Sequence, residues 1–240
     1  MNAIQNRKER ERAARESLLL EHAARLLVRD GFQDLNLDEL AAAVEYSKGT
    51  LYLHFKSKED LVLGVATQAL KHRADLLERA GAFAGKTRER VRAMAFACGE
   101  FMATHRDYFT LELMLQARSF WDRVSDERRN RHLAETARIF HAVNQVVLDA
   151  RACGDLPRRS SPEEVALSLM AITMGSHCMI TLPALQTVCP LKDPAAALLE
   201  FGERLMDGWG WKPISNGNHS DVLDKRIQKQ LSSKTSESKP

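Results

Sequence analysis

Between residues 46 and 58 the chain sets out Tyr46, Ser47, Lys48, Gly49, Thr50, Tyr52, His54 and Lys58, a run of hydroxyl, imidazole and ammonium groups around one glycine. Such groups donate and accept hydrogen bonds, and no strong nucleophile stands beside a base, so the chemistry on offer is recognition rather than bond making. Lys48, Thr50, Tyr52, His54 and Lys58 carry donors suited to phosphate oxygens or to the edges of bases. The free N–H groups at helix starts near Asn36 and Ser57 add a local preference for a phosphate.

The elements that carry these side chains follow from spacing. Asn36 can cap a helix with Glu39 three positions on, in a capping-box arrangement, and Leu37, Leu40, Ala41 and Val44 fall at helical spacing on one inward face. A turn lies around Glu45 and Tyr46. Ser47 then caps a second short helix in which Leu51 and Phe55 point back at the first, leaving Lys48, Gly49, Thr50, Tyr52 and His54 toward solvent or a partner. Two short helices and a tight turn make a helix-turn-helix, and a helix with small, polar and basic residues outward suits the DNA major groove, which admits one helix.

Over Ser47 to Leu61 the chain reads Ser-Lys-Gly-Thr-Leu-Tyr-Leu-His-Phe-Lys-Ser-Lys-Glu-Asp-Leu. This string resembles the signature of the tetracycline-repressor (TetR) family of bacterial transcriptional regulators, and the likeness covers about residues 15 to 65. Two positions depart from the family pattern: Asn36 where Thr is common, and Glu45 where Gly is common. Asn caps as well as Thr does, while Glu at a turn position with positive φ costs on the order of 1 kcal/mol relative to Gly. The resemblance implies backbone contacts to DNA from the Thr, Tyr, His and Lys at matching positions. Because such contacts hold register without encoding sequence, the base readers are then Lys48, Gly49 through close approach, and Thr50, with Tyr46 beside them.

The resemblance also implies an all-α fold, with a three-helix DNA-binding head at residues 1–60 and a larger helical ligand-binding and dimerisation body at 61–212. Composition agrees: 44% hydrophobic and 28% charged residues describe a globular chain, and 240 residues can bury a large core. Helical stripes run from the N-terminal arm to a stop at Gly31, from Ser57 to about Ala80, from Thr87 to His105, from about Asp107 to Ser119, and from Asp122 or Ser125 to Cys153. Ser161 before Pro162, Glu163 and Glu164 marks a further start, and Asp193 with Pro194 opens a last apolar helix to Gly208. Residues 213–240, rich in Ser, Lys and Asn, read as a mobile tail, apart from a short helix around Val222 to Leu231.

Net charge of +3 is too small to argue for nucleic acid by itself. Placement matters more: Arg7, Lys8, Arg10, Arg12 and Arg15 crowd the arm, and Lys48, Lys56 and Lys58 surround the second short helix, so a local basic face stands against the alternative of a solvated, frayed first helix. No signal peptide and no apolar run of roughly 20 residues is visible, which is read as a cytoplasmic chain with no membrane partner.

By the family's logic the partners are a double-stranded palindromic DNA operator, an unknown small-molecule effector and a second copy of the chain. The copies would meet through helices at about 161–181 and 193–208, since a helix-turn-helix reader places two heads about 34 Å apart. The protein would be a repressor released by a small, largely apolar effector. Met94, Phe101, Met102, Phe109, Met114, Trp121, Phe140, Met174 and His177 are the candidate lining, a Met and aromatic set that serves equally as ordinary core.

No cofactor and no metal site is indicated. Cys98, Cys153, Cys178 and Cys189 have no paired spacing and read as buried free thiols. An enzyme reading finds no nucleophile elbow, no phosphate-cradling glycine loop after a strand and no His-Glu-x-x-His. The remaining alternative is a thiol-based redox sensor on the same scaffold, with Cys153 as its best residue, although a helix C-terminus raises a thiol pKa.

Overall fold

The computed structural model describes residues 3–105, 108–159, 161–214 and 221–233, and among them finds helices and no strand. In chain order the helices are α1 Ala3–Asp34, α2 Leu37–Ala43, α3 Lys48–His54, α4 Lys58–Gly81, α5 Thr87–Thr104, α6 Tyr108–Met114 and α7 Arg118–Trp121. There follow α8 Asp126–Ala152, α9 Pro162–Thr181, α10 Pro183–Val188, α11 Pro194–Gly208 and α12 Asp221–Ser233. Asp107, where a helix start is expected, lies outside the described residues.

Local chemistry explains the punctuation. Gly31 takes φ 76° inside the span of α1, a left-handed conformation open to glycine, and breaks the helix there. Ser161 accepts from the Glu164 N–H at 3.0 Å while Glu164 reaches back to the Ser161 N–H at 2.9 Å, with Pro162 in the first turn. Asp193 caps α11 through the Ala196 N–H at 2.9 Å.

Two compact units result. The first holds residues 1–70 with 106–135, the second 71–105 with 136–240, so α4 and α8 each contribute to both. The expected boundary at residue 60 therefore differs from the observed division. In the first unit, Leu19, Ala23, Leu40, Leu51, Phe55, Leu61 and Val62 are all but inaccessible. Its extra segment is bonded to the α3–α4 corner: Asp60 accepts from the Lys56 N–H at 3.1 Å and the Ser125 N–H at 2.7 Å, and Ser57 donates to the Arg123 carbonyl at 2.9 Å. Linear sequence could not announce that partnership.

The second unit packs α5 against α11, α9 and α12 against α11 and α5 respectively, around Phe101, Val146, Met206, Trp211 and Ile227. A buried ionic cluster organises it. Arg88 bonds Glu203 at 2.7 Å and the Trp211 carbonyl at 2.8 Å, and Arg92 joins Glu203 at 3.2 Å and Asp224 at 2.7 Å. Burying these guanidinium groups is tolerable because each is paired and hydrogen-bonded.

The reading of residues 213–240 as a mobile tail needs correction. Residues 221–233 form α12, whose Ile227 is fully buried and whose Arg226 sits 4.8 Å over the Phe83 ring and 2.9 Å from Glu89. Residues 215–220 and 234–240 lie outside the described residues. The short helix expected around Val222 to Leu231 is α12, and Leu223, Ile227 and Leu231 recur along it every fourth residue. Among the described residues, no helix is long and apolar enough to cross a membrane.

Candidate nucleic-acid interface

The first short helix, α2, begins as the spacing predicts, with Asn36 Oδ1 accepting from the N–H groups of Asp38 at 2.9 Å and Glu39 at 3.3 Å. Its capping box is only half formed, because the Glu39 carboxylate goes to Arg29 of α1 at 2.9 Å. After Val44 the Tyr46 N–H returns to the Ala41 carbonyl at 2.8 Å, which requires Glu45 to adopt φ 58°. A glutamate in this left-handed region carries a cost of about 1–2 kcal/mol that glycine would avoid.

Ser47 caps α3 through the Thr50 N–H at 3.1 Å, and its hydroxyl also meets the Thr50 hydroxyl at 2.9 Å. Leu51 and Phe55 are buried, as their spacing requires, so α3 is held against the core by one face. Its opposite face exposes Lys48, Gly49, Tyr52 and Leu53, with Tyr46 and Thr50 half-exposed at its start. Gly49 is informative. A Cβ there would touch only Ser47 Oγ, at 3.7 Å, so nothing inside the protein calls for glycine at a helical position where it is disfavoured by about 1 kcal/mol.

The basic side chains are less free than expected. Lys48 Nζ lies 2.9 Å from Asp38, whose carboxylate holds its pKa up, although an exposed pair of this kind is worth little and yields to a phosphate. Lys58 Nζ donates to the Gln33 carbonyl at 2.9 Å and sits 4.9 Å over the Phe32 ring, so it ties α4 to the end of α1.

His54 is the clearest departure. It was expected to face outward, yet it is half-buried, its Nδ1 has no hydrogen-bond partner, and burial, with Arg12, Arg128 and Arg15 adding to it against Glu16, lowers its pKa. The helix starts near Asn36 and Ser57 are also partly satisfied from within, the latter by Ser57 Oγ accepting the Asp60 N–H at 2.9 Å. Their appeal to a phosphate is correspondingly reduced.

One feature escaped the sequence. Leu53 is 78% exposed, an apolar side chain on the outer face of α3, and only burial of its neighbours Leu51 and Phe55 shows that it is left outside. The five basic residues of the arm lie on the first helix the stripes predict, α1, and all five are exposed.

The candidate effector lining is divided. Met94, Phe101 and Met102 are buried on α5, and Phe140, Met174 and His177 are half-buried, all in the second unit. Phe101 stacks on His105 with centroids 4.4 Å apart, and His177 has a lowered pKa from burial and then from Arg73. Met114 and Trp121 belong to the first unit, where the Trp121 indole N–H donates to the Leu115 carbonyl at 2.5 Å. The side chain of Phe109 lies outside the described residues. A groove of about 390 Å³ in the second unit is lined by Ala95, Phe96, Gly99, Glu100, Ala103, Thr104, Leu198 and Leu199.

The thiols also differ from expectation: Cys98 is buried, Cys178 is half-buried, and Cys153 and Cys189 are exposed.

Against known proteins, residues 19–65 match the profile described as bacterial regulatory proteins, tetR family. The chain is similar to an uncharacterized HTH-type transcriptional regulator, YhgD, of Bacillus subtilis (strain 168), with 32% identity over 92 residues, which is 38% of this chain and 48% of that protein. It thus spans about half the length of that relative. Among solved structures, a protein of unknown function from Rhodococcus sp. RHA1 matches with a TM-score of 0.66 and 20% identity, covering 81% of this chain and 95% of that one. A TetR/AcrR-family transcriptional regulator from Thermobifida fusca YX-ER1 matches with a TM-score of 0.62 and 17% identity, covering 82% and 98%. At these identities the structural likeness speaks to the fold.

Proposed function

We propose that the chain is a sequence-specific DNA-binding transcriptional regulator of the tetR family, a reading supported by the match over residues 19–65 and by the likeness to an HTH-type regulator. The observation that carries this reading is α3: a helix seated by Leu51 and Phe55 that presents Gly49, Tyr52 and Leu53 outward, beside a lysine whose exposed ion pair a phosphate can displace. In this reading Tyr52, Lys48 and the arginines of α1 hold the phosphate backbone. Gly49, Thr50, Tyr46 and Leu53 meet base edges, Leu53 offering an apolar contact for a thymine methyl. No catalytic activity is assigned.

The regulator acts as a homodimer on a palindromic operator. Support comes from α9, where Leu167, Ala171, Gly175 and Met179 recur every fourth residue, all exposed, with Leu167 at 61% and Met179 at 54%. Ala166 and Ser176, small residues that also suit a close helix approach, are instead buried within the chain. The role we infer is that of a repressor, and its release requires a small, largely apolar effector that binds the two states unequally.

Selection from fragmented genomic DNA at moderate and then higher salt, followed by sequencing of the bound fraction, tests the reading. An enriched palindrome supports a dimeric, sequence-specific regulator; no enrichment by correctly folded protein removes it. Exposure of Cys153 and Cys189 keeps a thiol-responsive regulator as the second reading, and operator binding unchanged by thiol alkylation would eliminate it.

A further inference from the structure

We infer that Arg128, on the first turn of α8, is a positioning residue for the DNA-reading helix, an inference that rests on the DNA-binding reading above. Its guanidinium is buried, with 7% of the side chain exposed, and makes three different contacts. Nη1 bonds the Glu16 carboxylate of α1 at 2.5 Å, Nη2 donates to the His54 carbonyl at 3.1 Å, and the guanidinium carbon lies 4.6 Å over the Phe55 ring. His54 is the last residue of α3 and Phe55 its C-cap, so Arg128 holds the end of the reading helix by both a main-chain acceptor and an aromatic face.

The geometry suits a planar fork and not a point charge. A guanidinium can bond a carboxylate at one edge, a carbonyl at another and stack on an aromatic face, which an ammonium cannot reproduce. A positive group at a helix C-terminus also meets the negative end of the helix dipole. Glu16, which also receives Arg131 at 3.3 Å, reflects the arrangement: burial alone would raise its pKa, yet the hydrogen bond and charge of Arg128, with Arg131, hold it below the ordinary carboxylate value.

Space around the contact is closed. A Cβ at Gly64 of α4 would stand 2.8 Å from Leu20, 3.3 Å from Phe55 and 3.8 Å from Arg128 Nη1, so α1, the α3 cap, α4 and α8 converge on one point. Asp60, 1% exposed, bonds the backbone on both sides of it, at Lys56 after α3 and at Ser125 before α8. The end of α3 therefore cannot tilt without breaking the Arg128 contacts, and the start of α3, where Gly49 and Thr50 meet DNA in the proposed reading, is aimed from that end.

Full-length wild type, Arg128→Met, Arg128→Lys and Glu16→Gln are to be compared for melting temperature, operator affinity over a salt series, and amide hydrogen exchange of α2 and α3 without DNA. Well below their melting temperatures, the two Arg128 variants should lose about tenfold in operator affinity. Their salt slope should stay unchanged, because a buried guanidinium releases no counterion from DNA. Exchange at the end of α3 should rise while that of α2 does not. Unchanged operator affinity in a folded variant overturns the inference, and so does a slope lowered by about one per head, which would mean a direct phosphate contact. Should Arg128→Met fail to fold, Arg128→Lys and Glu16→Gln decide by the same criteria. If wild type binds no DNA selectively, the regulator reading fails first, while the exchange measurement still reports whether Arg128 holds α3.

Discussion

Arg92 and Asp224 face each other as a bidentate pair, with Nε and Nη2 of the arginine at 2.7 and 2.8 Å from the two carboxylate oxygens, and this pair fastens α12 onto α5. Arg92 is buried and also meets Glu203, so removing Asp224 leaves part of a buried cation unpaired. Asp224→Ala should lower unfolding free energy by about 2–3 kcal/mol, the lower part of the range for breaking a buried pair because Asp224 keeps some exposure. Deleting the chain after Lys212 should cost more, since it also uncovers the site of Ile227. Urea denaturation followed by circular dichroism measures both; an unchanged midpoint would show that α12 contributes no stability.

Gly49→Ala should separate stability from recognition. The added Cβ meets nothing closer than 3.7 Å, so the variant gains a few tenths to about 1 kcal/mol of helix propensity. Operator affinity should fall about tenfold if the smooth surface serves close approach to bases. A more stable protein with undiminished binding would remove Gly49 from the interface.

Leu53→Ala and Tyr52→Ala should differ in kind. Both side chains are exposed, so neither change should move the melting temperature much, within about 0.5 kcal/mol. The tyrosine variant should weaken binding to all DNA about equally with the salt slope unchanged, because an uncharged phenol releases no counterion, and the leucine variant should relax the preference for thymine at one operator position. Binding assays on an operator substituted base by base distinguish these patterns, and an unaltered profile for Leu53→Ala would remove its reader role.

Acid should weaken the fold in two stages. His54, His72, His132 and His177 all have lowered pKa values, chiefly from burial. Each therefore contributes stability that is complete above the unfolded histidine value near 6.5 and is lost as pH falls through the lower folded value. His132, buried with its Nδ1 3.0 Å from the Thr67 hydroxyl, should be a main contributor, so His132→Gln should flatten the decline of the urea midpoint between about pH 7 and 5. A second loss should follow below about pH 4.5 as Glu16, whose folded pKa is lowered, takes up its proton. A variant with the same pH slope as wild type in the first window would acquit His132.

Much of this protein is legible in local chemistry. Asn36, Ser47, Ser161 and Asp193 cap helices where they stand because a side-chain oxygen needs only an N–H two or three residues away. Leu51 and Phe55 are one turn apart and must share a face, and Gly31 breaks α1 by a conformation it alone adopts readily. Those elements, and the all-helical class, depend on contacts a few residues long.

Tertiary structure decided where the charges and exposed side chains went. Glu39 was taken from its own cap by Arg29, Lys58 was drawn to Gln33 and Phe32, and His54 was turned inward beside Glu16 and Arg128. Asp224 found Arg92 across 132 residues and made a packed helix of a segment whose composition reads as tail. Long, flexible charged side chains can reach several partners of similar energy, so spacing alone leaves the choice open, and only the packing of helices distant in sequence determines which partner lies within 3 Å.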